Sequence, residues 1–233
     1  MKLLILGGTT FVGRHVTEAV LNKGHQVTLF NRNKTNTDIF SQAERLVGDR
    51  DGALDALFNQ TWDAVLDING YLPRLVRDSA RLLQDHVDQY LFVSTASVYD
   101  LGMLPKEIDE NAPLLSTMGI DTEEFLGEAY GALKLQCEQV VAEYYPQRAT
   151  ILRPGLIAGP YDNTDRITYW VGRVARGGDI LVPQSPDDPL QFIDARDIAD
   201  FAIKAIEDKH YGTFNLAGEL QTWDRWLKSC QGI

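Results

Sequence analysis

Cysteine and histidine are scarce in this 233-residue sequence. The two cysteines, Cys137 and Cys230, cannot build the disulfide framework of a small secreted domain or a four-cysteine zinc site. The four histidines are scattered without the spacing of metal ligands. We therefore expect no metal centre.

Long apolar runs and clusters of basic residues are also missing. No stretch approaches the roughly 18 apolar residues of a membrane span, and the N-terminal apolar run is too short for a signal-peptide core. Lysine and arginine total 22 against 33 acidic residues, which gives a net charge of −11. Such an acidic chain is poorly suited to nucleic acid or anionic membranes, which attract basic surfaces. These absences predict a cytoplasmic protein without membrane contact.

Strand-like and helix-like segments alternate over about the first 150 residues, which is typical of a parallel sheet covered by helices on both faces. After Pro154, glycine and proline become frequent and the elements shorten. We predict a nucleotide-binding domain over residues 1–153 and a small lobe over residues 154–233, interleaved with the last sheet elements. The predicted strands are residues 3–6, 26–30, 44–47, 64–68, 89–93 and 150–152, and the predicted helices are 11–22, 53–58, 73–83, 130–144, 194–206 and 222–229.

The first predicted strand leads into a glycine-rich turn and then into a helix. Gly7 and Gly8 can adopt backbone conformations closed to other residues, and Gly13 allows the helix to pack closely on the sheet. The free N–H groups at the start of that helix favour an anion. The pattern predicts a doubly wound sheet of the Rossmann type in which this turn holds the pyrophosphate of a dinucleotide. The predicted cradle residues are Gly7, Thr9, Thr10, Phe11, Val12 and Gly13.

Tyr130 and Lys134 lie four residues apart in a predicted helix and therefore share one face. A phenol with a pKa of about 10 is a poor base at neutral pH. A neighbouring ammonium and a cationic nicotinamide ring would both lower that pKa. Thr95, at the end of the fifth strand, would hydrogen-bond the substrate oxygen. Chance alone gives about 0.3 such Tyr-x-x-x-Lys pairs in this composition, so the evidence is their order along the chain. The alternative is that Lys134 is a solvated helix residue and Thr95 a strand-end cap.

Together these motifs resemble the extended short-chain dehydrogenase/reductase family, also called the NAD-dependent epimerase/dehydratase family. The matching segments are residues 7–13, 48–49, 93–99, 130–134, 152–160, 191–199 and 214–218. The resemblance implies that Thr95, Tyr130 and Lys134 are catalytic, that Lys134 also binds the nicotinamide ribose, and that Asp49 contacts adenine. The further cofactor contacts that it implies are Asn69, Gly70, Pro154 and Gly155.

The sequence departs from that family's pattern in three places. Thr10 stands where the GxxGxxG pattern has its middle glycine. Relatives run many residues past the segment matching residues 214–218, so we expect a shortened C-terminal lobe and an open substrate cleft. Asn31 and Arg32 replace the acidic residue that holds the adenosine ribose and repels a 2′-phosphate. Because a guanidinium binds phosphate well, we predict that NADP is preferred, with NAD as the alternative.

The resemblance implies an NAD(P)-dependent oxidoreductase, epimerase or dehydratase. Its small-molecule substrate would be an alcohol or ketone of a nucleotide sugar or a similar polar metabolite. The alternative is a non-catalytic NAD(P)-binding regulator or an RNA-associated protein of the same fold, which the net charge disfavours.

Family members of this kind often form homodimers through a four-helix bundle. Here it would use the helices at residues 73–83 and 126–144. Alternatively, the apolar residues of these helices only pack on their own sheet. The apolar residues concerned are Leu75, Val76, Leu82, Leu83, Leu133, Val140 and Val141.

Overall fold

A seven-stranded parallel sheet forms the centre of the molecule. The computed structural model describes residues 1–100, 102, 108–125 and 127–231. The strands are β1 Lys2–Leu6, β2 Gln26–Asn31, β3 Glu44–Val47, β4 Trp62–Asp67, β5 Val87–Val93, β6 Ala149–Pro154, β7 Leu156–Ala158, β8 Pro189–Leu190, β9 Phe192–Asp194, β10 Gly212–Leu216 and β11 Gln221–Thr222. The helices are α1 Phe11–Asn22, α2 Pro73–Leu83, α3 Tyr130–Tyr144, α4 Thr168–Ala175, α5 Ala195–Glu207 and α6 Trp223–Cys230.

The strand order of the main sheet is β10-β6-β5-β4-β1-β2-β3, and all neighbouring strands run parallel. The predicted doubly wound α/β fold is therefore confirmed. The chain first builds outward from β1 to β3 and then returns to place β4 on the other side of β1. In such sheets a ligand binds beyond the carboxyl ends of the strands at this point of reversal.

Alternate residues of β1 face opposite sides of the sheet, as strand geometry requires. Leu3 and Ile5 join a core with α1 and α5, whereas Leu4 and Leu6 join a second core with α2 and α3. Because helices cover both faces, the central strands are continuous apolar runs rather than alternating ones.

Residues after Pro154 divide between the main sheet and a small lobe. β10 pairs with β6 at the sheet edge, and α5 packs beside α1. The lobe contains two short two-stranded sheets, β7 with β9 and β8 with β11. Aromatic side chains fill the space between α4 and α6, with the rings of Trp170 and Trp223 5.1 Å apart.

The predicted helix at residues 53–58 is wrong: only a 3₁₀ turn, Asp55–Leu57, is present. Asp49 and Ala53 exchange two backbone hydrogen bonds as an antiparallel bridge. Ala53 is thus paired as in a β-bridge, so a helix cannot begin at this residue.

No described helix combines the length and the apolar character needed to cross a bilayer. Within the same residues, no group of three or more His, Cys, Asp and Glu side chains is arranged to hold a metal ion. Cys137 and Cys230 are free and buried, and burial raises the pKa of the Cys137 thiol to about 12.

Candidate active site

The glycine-rich turn leaves β1 in a conformation that favours glycine. Gly7 and Gly8 have φ values of +108° and +90°. The first helical backbone bond of α1 runs from the Arg14 N–H to the Thr10 carbonyl at 3.1 Å. The N–H groups of residues 11–13 therefore have no partner within the helix and point out of its end. No acidic side chain lies in this first turn of α1, so the end of the helix is suited to an anion.

Close packing explains why this turn needs its glycines. A Cβ at Gly13 would lie 2.9 Å from the Gly8 nitrogen, and one at Gly8 would lie 2.7 Å from the Leu29 side chain. At Gly7 the nearest atom to such a Cβ belongs to Asn69, at 3.6 Å. Gly7 is thus required by its backbone angle, and the space above it opens toward the end of β4.

Lys134 is buried at the carboxyl edge of the sheet, with only 2% of its surface exposed. Its ammonium donates hydrogen bonds of 2.7 Å to the carbonyls of Gly70 and Val93. Burial lowers the pKa of Lys134 to about 8. The interpretation of Lys134 as a solvated helix residue is therefore wrong, and the side chain joins the ends of β4 and β5 to α3.

Thr95 and Tyr130 lie next to each other at the same edge. The Thr95 hydroxyl accepts a hydrogen bond from the Ser97 N–H at 3.1 Å, so Thr95 does cap the short turn after β5. The Thr95 side chain also lies near enough to the Tyr130 phenol to lower its pKa. Being a cap thus does not exclude a role for Thr95 at the site.

Electrostatics at Tyr130 differ from the expectation. Burial raises the pKa of Tyr130, and this effect outweighs the lowering by the nearby Thr95 side chain and by the charge of Arg166. In the free protein, the Lys134 ammonium therefore does not by itself lower the Tyr130 pKa below its ordinary value; the combined effect of the ammonium and a cationic nicotinamide ring stays a prediction. The ammonium donates to two backbone carbonyls, and desolvation of the phenol dominates.

Tyr71 belongs to the site although the sequence motifs did not single it out. Its ring lies 5.5 Å from the Lys134 ammonium and 5.2 Å from the ring of Phe125. Tyr71 and Phe125 are 41% and 38% exposed, so they form an aromatic wall that faces solvent beside Tyr130. The only signal in the sequence was the position of Tyr71 directly after Asn69 and Gly70.

Asn31 and Arg32 have different surroundings at the end of β2. The Asn31 amide donates to the Gly7 carbonyl at 3.1 Å and accepts from the Asn33 N–H at 2.8 Å, so it braces the glycine-rich turn. Asn36 also braces the turn, because its side-chain amide donates to the Thr9 carbonyl at 2.7 Å. Arg32 is exposed and has no hydrogen bond or ion pair among the described residues.

Asp49 lies in the turn after β3, and its neighbour Arg50 fixes that turn. Arg50 donates to both carboxylate oxygens of the buried Asp67, at 2.7 and 2.5 Å. Burial opposes ionisation of Asp67, but the charge and hydrogen bonds of Arg50 lower its pKa overall. This internal pair, which the sequence motifs did not reveal, ties the Asp49 turn to the end of β4.

Pro154 and Gly155 lie at the carboxyl end of β6, beside the end of β5. The Gly155 N–H donates to the Leu216 carbonyl at 3.1 Å, and a Cβ on Gly155 would meet no protein atom within 4 Å. The predicted site residues therefore all lie at the carboxyl ends of the strands of the main sheet. They run from Asp49 at one side, past the cradle, to Gly155 at the other.

The profile of the NAD dependent epimerase/dehydratase family matches residues 3–217. The chain belongs to this family. The resemblance seen in the motifs is thus confirmed over nearly the whole chain.

A curated relative in Arabidopsis thaliana, chloroplast stem-loop binding protein of 41 kDa b, is 29% identical over 251 residues. That alignment covers 98% of this chain but 62% of the relative, so the chain spans less than two thirds of the length of this protein.

Solved structures share the fold. UDP-N-acetylglucosamine 4-epimerase from Bacillus cereus superposes with a TM-score of 0.78 at 23% identity, covering 100% of this chain and 81% of that one. UDP-glucuronic acid 4-epimerase from Bacillus cereus, in complex with NAD, gives a TM-score of 0.74 at 18% identity, covering 95% and 80%. dTDP-glucose 4,6-dehydratase from Bacillus anthracis, in complex with NAD, gives 0.76 at 14%, covering 99% and 80%.

Thr10, which replaces the middle glycine of the family pattern, lies at the start of α1 and does not cap the helix. Thr10 precedes α1 in an extended conformation, with φ −130° and ψ 148°, and its side chain makes no capping hydrogen bond. The residue is exposed. A threonine is therefore accommodated here without disturbing α1, and its hydroxyl lies beside the anion-binding end of the helix.

The apolar residues proposed for a dimer seam lie largely inside this chain. Val76, Leu83, Leu133, Val140 and Val141 are all buried. Leu75 and Leu82 are only partly buried, and Leu126 lies outside the described residues. The outer surface of α2 and α3 instead carries the exposed Arg77–Glu143 ion pair at 3.0 Å. The dimer stays a prediction, and light scattering at micromolar concentration tests it.

Proposed function

We propose that this chain is a nicotinamide-dependent enzyme that acts on an alcohol or ketone of a nucleotide sugar or a similar polar metabolite. The observation that carries the proposal is the meeting of Thr95, Tyr130 and Lys134 at the sheet edge beside the glycine-rich turn. A hydroxyl, a phenol and a buried ammonium are the groups that proton transfer at a carbinol carbon requires.

The residues of the cradle fit a dinucleotide. Glycines at positions 8 and 13 leave no room for a Cβ, and the free N–H groups of α1 suit a pyrophosphate. We propose that Asp49 contacts the adenine, Lys134 the nicotinamide ribose, and Pro154 and Gly155 the nicotinamide. When bound, the nicotinamide supplies the group that accepts or returns a hydride.

Tyr130 moves the proton in this proposal. Its raised pKa means that the phenol is protonated in the free protein at neutral pH, ready to donate to a ketone oxygen held by Thr95. In the reverse direction the phenol must first lose its proton. A cationic cofactor nearby would lower the Tyr130 pKa, so we expect binding of the oxidised cofactor to prepare Tyr130 for that role.

Two features beside Tyr130 support a nucleotide-sugar substrate. The aromatic wall of Tyr71 and Phe125 suits the apolar face of a sugar ring, and the charge of Arg166, near enough to act on the Tyr130 phenol, suits a phosphate. Proteins of similar structure include a UDP-N-acetylglucosamine 4-epimerase and a dTDP-glucose 4,6-dehydratase. Incubating the purified chain with NAD or NADP and a panel of UDP- and dTDP-sugars tests the proposal. Nicotinamide absorbance and product analysis by NMR are the readouts, and binding of cofactor without turnover of any sugar nucleotide contradicts the proposed substrate.

We expect Arg32→Ala to remove a preference for NADP. The exposed guanidinium is available to a 2′-phosphate, and hydrogen bonds between charged groups of this kind correspond to about 10- to 100-fold in affinity. The variant should keep the NAD affinity of the parent and lose NADP affinity, as measured by calorimetric titration of both cofactors. Arg81→Ala, an exposed arginine of α2, is the matched control and should change neither. Tighter binding of NAD than NADP by the parent would refute the assignment.

We expect the cofactor affinity to fall as the pH rises through about 8. Burial lowers the pKa of Lys134 to about 8, so above that pH the ammonium loses the charge and one of the N–H donors that would face the ribose. The loss is at most about tenfold per pH unit. Lys134→Met should bind weakly with no inflection near this pH, whereas Lys204→Met, on the exposed face of α5, should keep the profile of the parent. A flat parent profile up to about pH 9.5 would argue against this role of Lys134.

A second candidate function is binding of a nucleic acid stem-loop. It is favoured by the similarity to the stem-loop binding protein of Arabidopsis thaliana and opposed by the net charge of −11. Fluorescence anisotropy with labelled stem-loop RNA, with and without cofactor, tests it. Specific binding that survives physiological salt would favour this function.

A further inference from the structure

Glu138 and Arg153 form a buried ion pair behind the candidate site. Arg153 donates from Nε to one carboxylate oxygen at 3.0 Å and from Nη2 to the other at 2.7 Å. Their side chains are 7% and 5% exposed. Desolvating two charges is costly, and apolar residues of similar volume often stabilise a fold equally well. The pair therefore calls for an explanation beyond stability.

Glu138 continues the catalytic face of α3. Tyr130, Lys134 and Glu138 are spaced four residues apart, so they line one side of the helix. The Ser94 hydroxyl donates to the Glu138 carboxylate at 2.5 Å. Ser94 directly precedes Thr95, so one carboxylate connects the helix of Tyr130 to the end of β5 that presents Thr95.

Arg153 extends the connection to two further strands. Its Nη1 donates to the Tyr99 hydroxyl at 3.0 Å, and that hydroxyl donates to the Asn215 side-chain oxygen at 2.7 Å. Arg153 lies in β6 directly before Pro154, and Asn215 lies in β10. The buried network therefore joins α3 with the ends of β5, β6 and β10.

We propose that the Glu138–Arg153 pair is a positioning element that holds Tyr130 and Lys134 in register with Thr95. This inference rests on the proposed function, because it concerns the geometry of the same three residues. Neither Glu138 nor Arg153 touches the reacting atoms in this proposal. A misplacement of a catalytic group by about 1 Å lowers the rate by roughly 100-fold, so a small relaxation of the network is enough to be measured.

Glu138→Gln tests the proposal because it keeps the shape of the side chain and removes its charge. We expect kcat to fall by about 10- to 100-fold, with smaller changes in KM and in cofactor affinity. Glu138→Asp, which restores the carboxylate, should recover part of the loss. Glu143→Gln is the matched control: it makes the same change in the same helix, to an exposed carboxylate paired with Arg77, and should leave kcat unchanged.

The pKa of the Tyr130 phenol reports on the position of Thr95 and can be measured without a substrate. With ¹³C-labelled tyrosine, NMR follows the phenol of Tyr130 in the parent and variants. If the network holds Thr95 near Tyr130, moving the Thr95 side chain away raises the pKa of Tyr130 further in Glu138→Gln and in the milder Ser94→Ala. Should Glu138→Gln fail to fold, Ser94→Ala decides, since it leaves the buried ion pair intact.

The outcomes separate the two proposals. If the variants shift the Tyr130 titration but the parent turns over no substrate, the positioning role is supported and the proposed function is contradicted. Folded Glu138→Gln and Ser94→Ala variants with the kcat and the Tyr130 titration of the parent would show that the pair is only structural.

Discussion

Tyr130→Phe is expected to lower turnover by about 10²- to 10⁴-fold while leaving cofactor affinity nearly unchanged. The substitution removes one hydroxyl, which is the group that donates or accepts the proton, and preserves the ring that packs at the start of α3. Thr95 remains to hold the substrate oxygen, so the substrate should still bind. Steady-state kinetics on a confirmed substrate, together with calorimetric titration of the cofactor, measure both quantities.

The matched control for this substitution is Tyr211→Phe. Tyr211 is 40% exposed and directly precedes β10 at the amino end of that strand, which is the opposite edge of the sheet from the site. It should keep the turnover of the parent. If Tyr130→Phe is as active as Tyr211→Phe on any substrate, then Tyr130 does not transfer the proton.

The elements with strong local signals were predictable from the sequence. The bounds predicted for α1 and α2 agree with those observed, because each has an amphipathic pattern with a clear start or stop. Pro73 begins α2, and Gly24 follows α1 in a left-handed conformation with φ +80°. The glycine-rich turn was equally predictable, since its backbone angles restrict the residue type locally.

Charged residues whose partners are distant in sequence were not predictable. Arg50 pairs with Asp67, and Glu138 pairs with Arg153 across two elements. In the sequence alone, each of these residues is indistinguishable from a solvated surface charge, because burial depends on how helices pack on the sheet. The same reason explains Lys134, whose position the motif predicted but whose burial and carbonyl partners only the fold defines.

The direction of the Tyr130 pKa shift shows the limit of reasoning from spacing. A lysine four residues away predicts stabilisation of the phenolate. The fold instead buries the phenol and binds the ammonium to the Gly70 and Val93 carbonyls, so burial determines the direction. The sequence predicts that Tyr130 and Lys134 share one face of a helix, whereas their protonation depends on desolvation that no sequence pattern encodes.

Gly7→Val is expected to abolish cofactor binding. Gly7 has a φ of +108°, which a β-branched residue adopts only with strain of roughly 1–3 kcal/mol. An added Cβ would meet only the Asn69 side chain at 3.6 Å, so the protein should still fold. The valine methyl groups would then occupy the space between Gly7 and the end of β4, where the pyrophosphate is proposed to lie. Isothermal titration calorimetry with NAD and NADP measures the loss.

Gly24→Val separates backbone strain from the loss of the cradle. Gly24 also has a positive φ, +80°, and a Cβ there would meet no atom within 4 Å. It follows α1 at the end opposite to the cradle, so this variant should show a comparable decrease in unfolding free energy with unchanged cofactor affinity. Chemical denaturation of both variants compares the strain directly. A folded Gly7→Val protein that binds either cofactor as tightly as Gly24→Val would place the dinucleotide elsewhere, because no cofactor phosphate could pass so close to a valine at this turn.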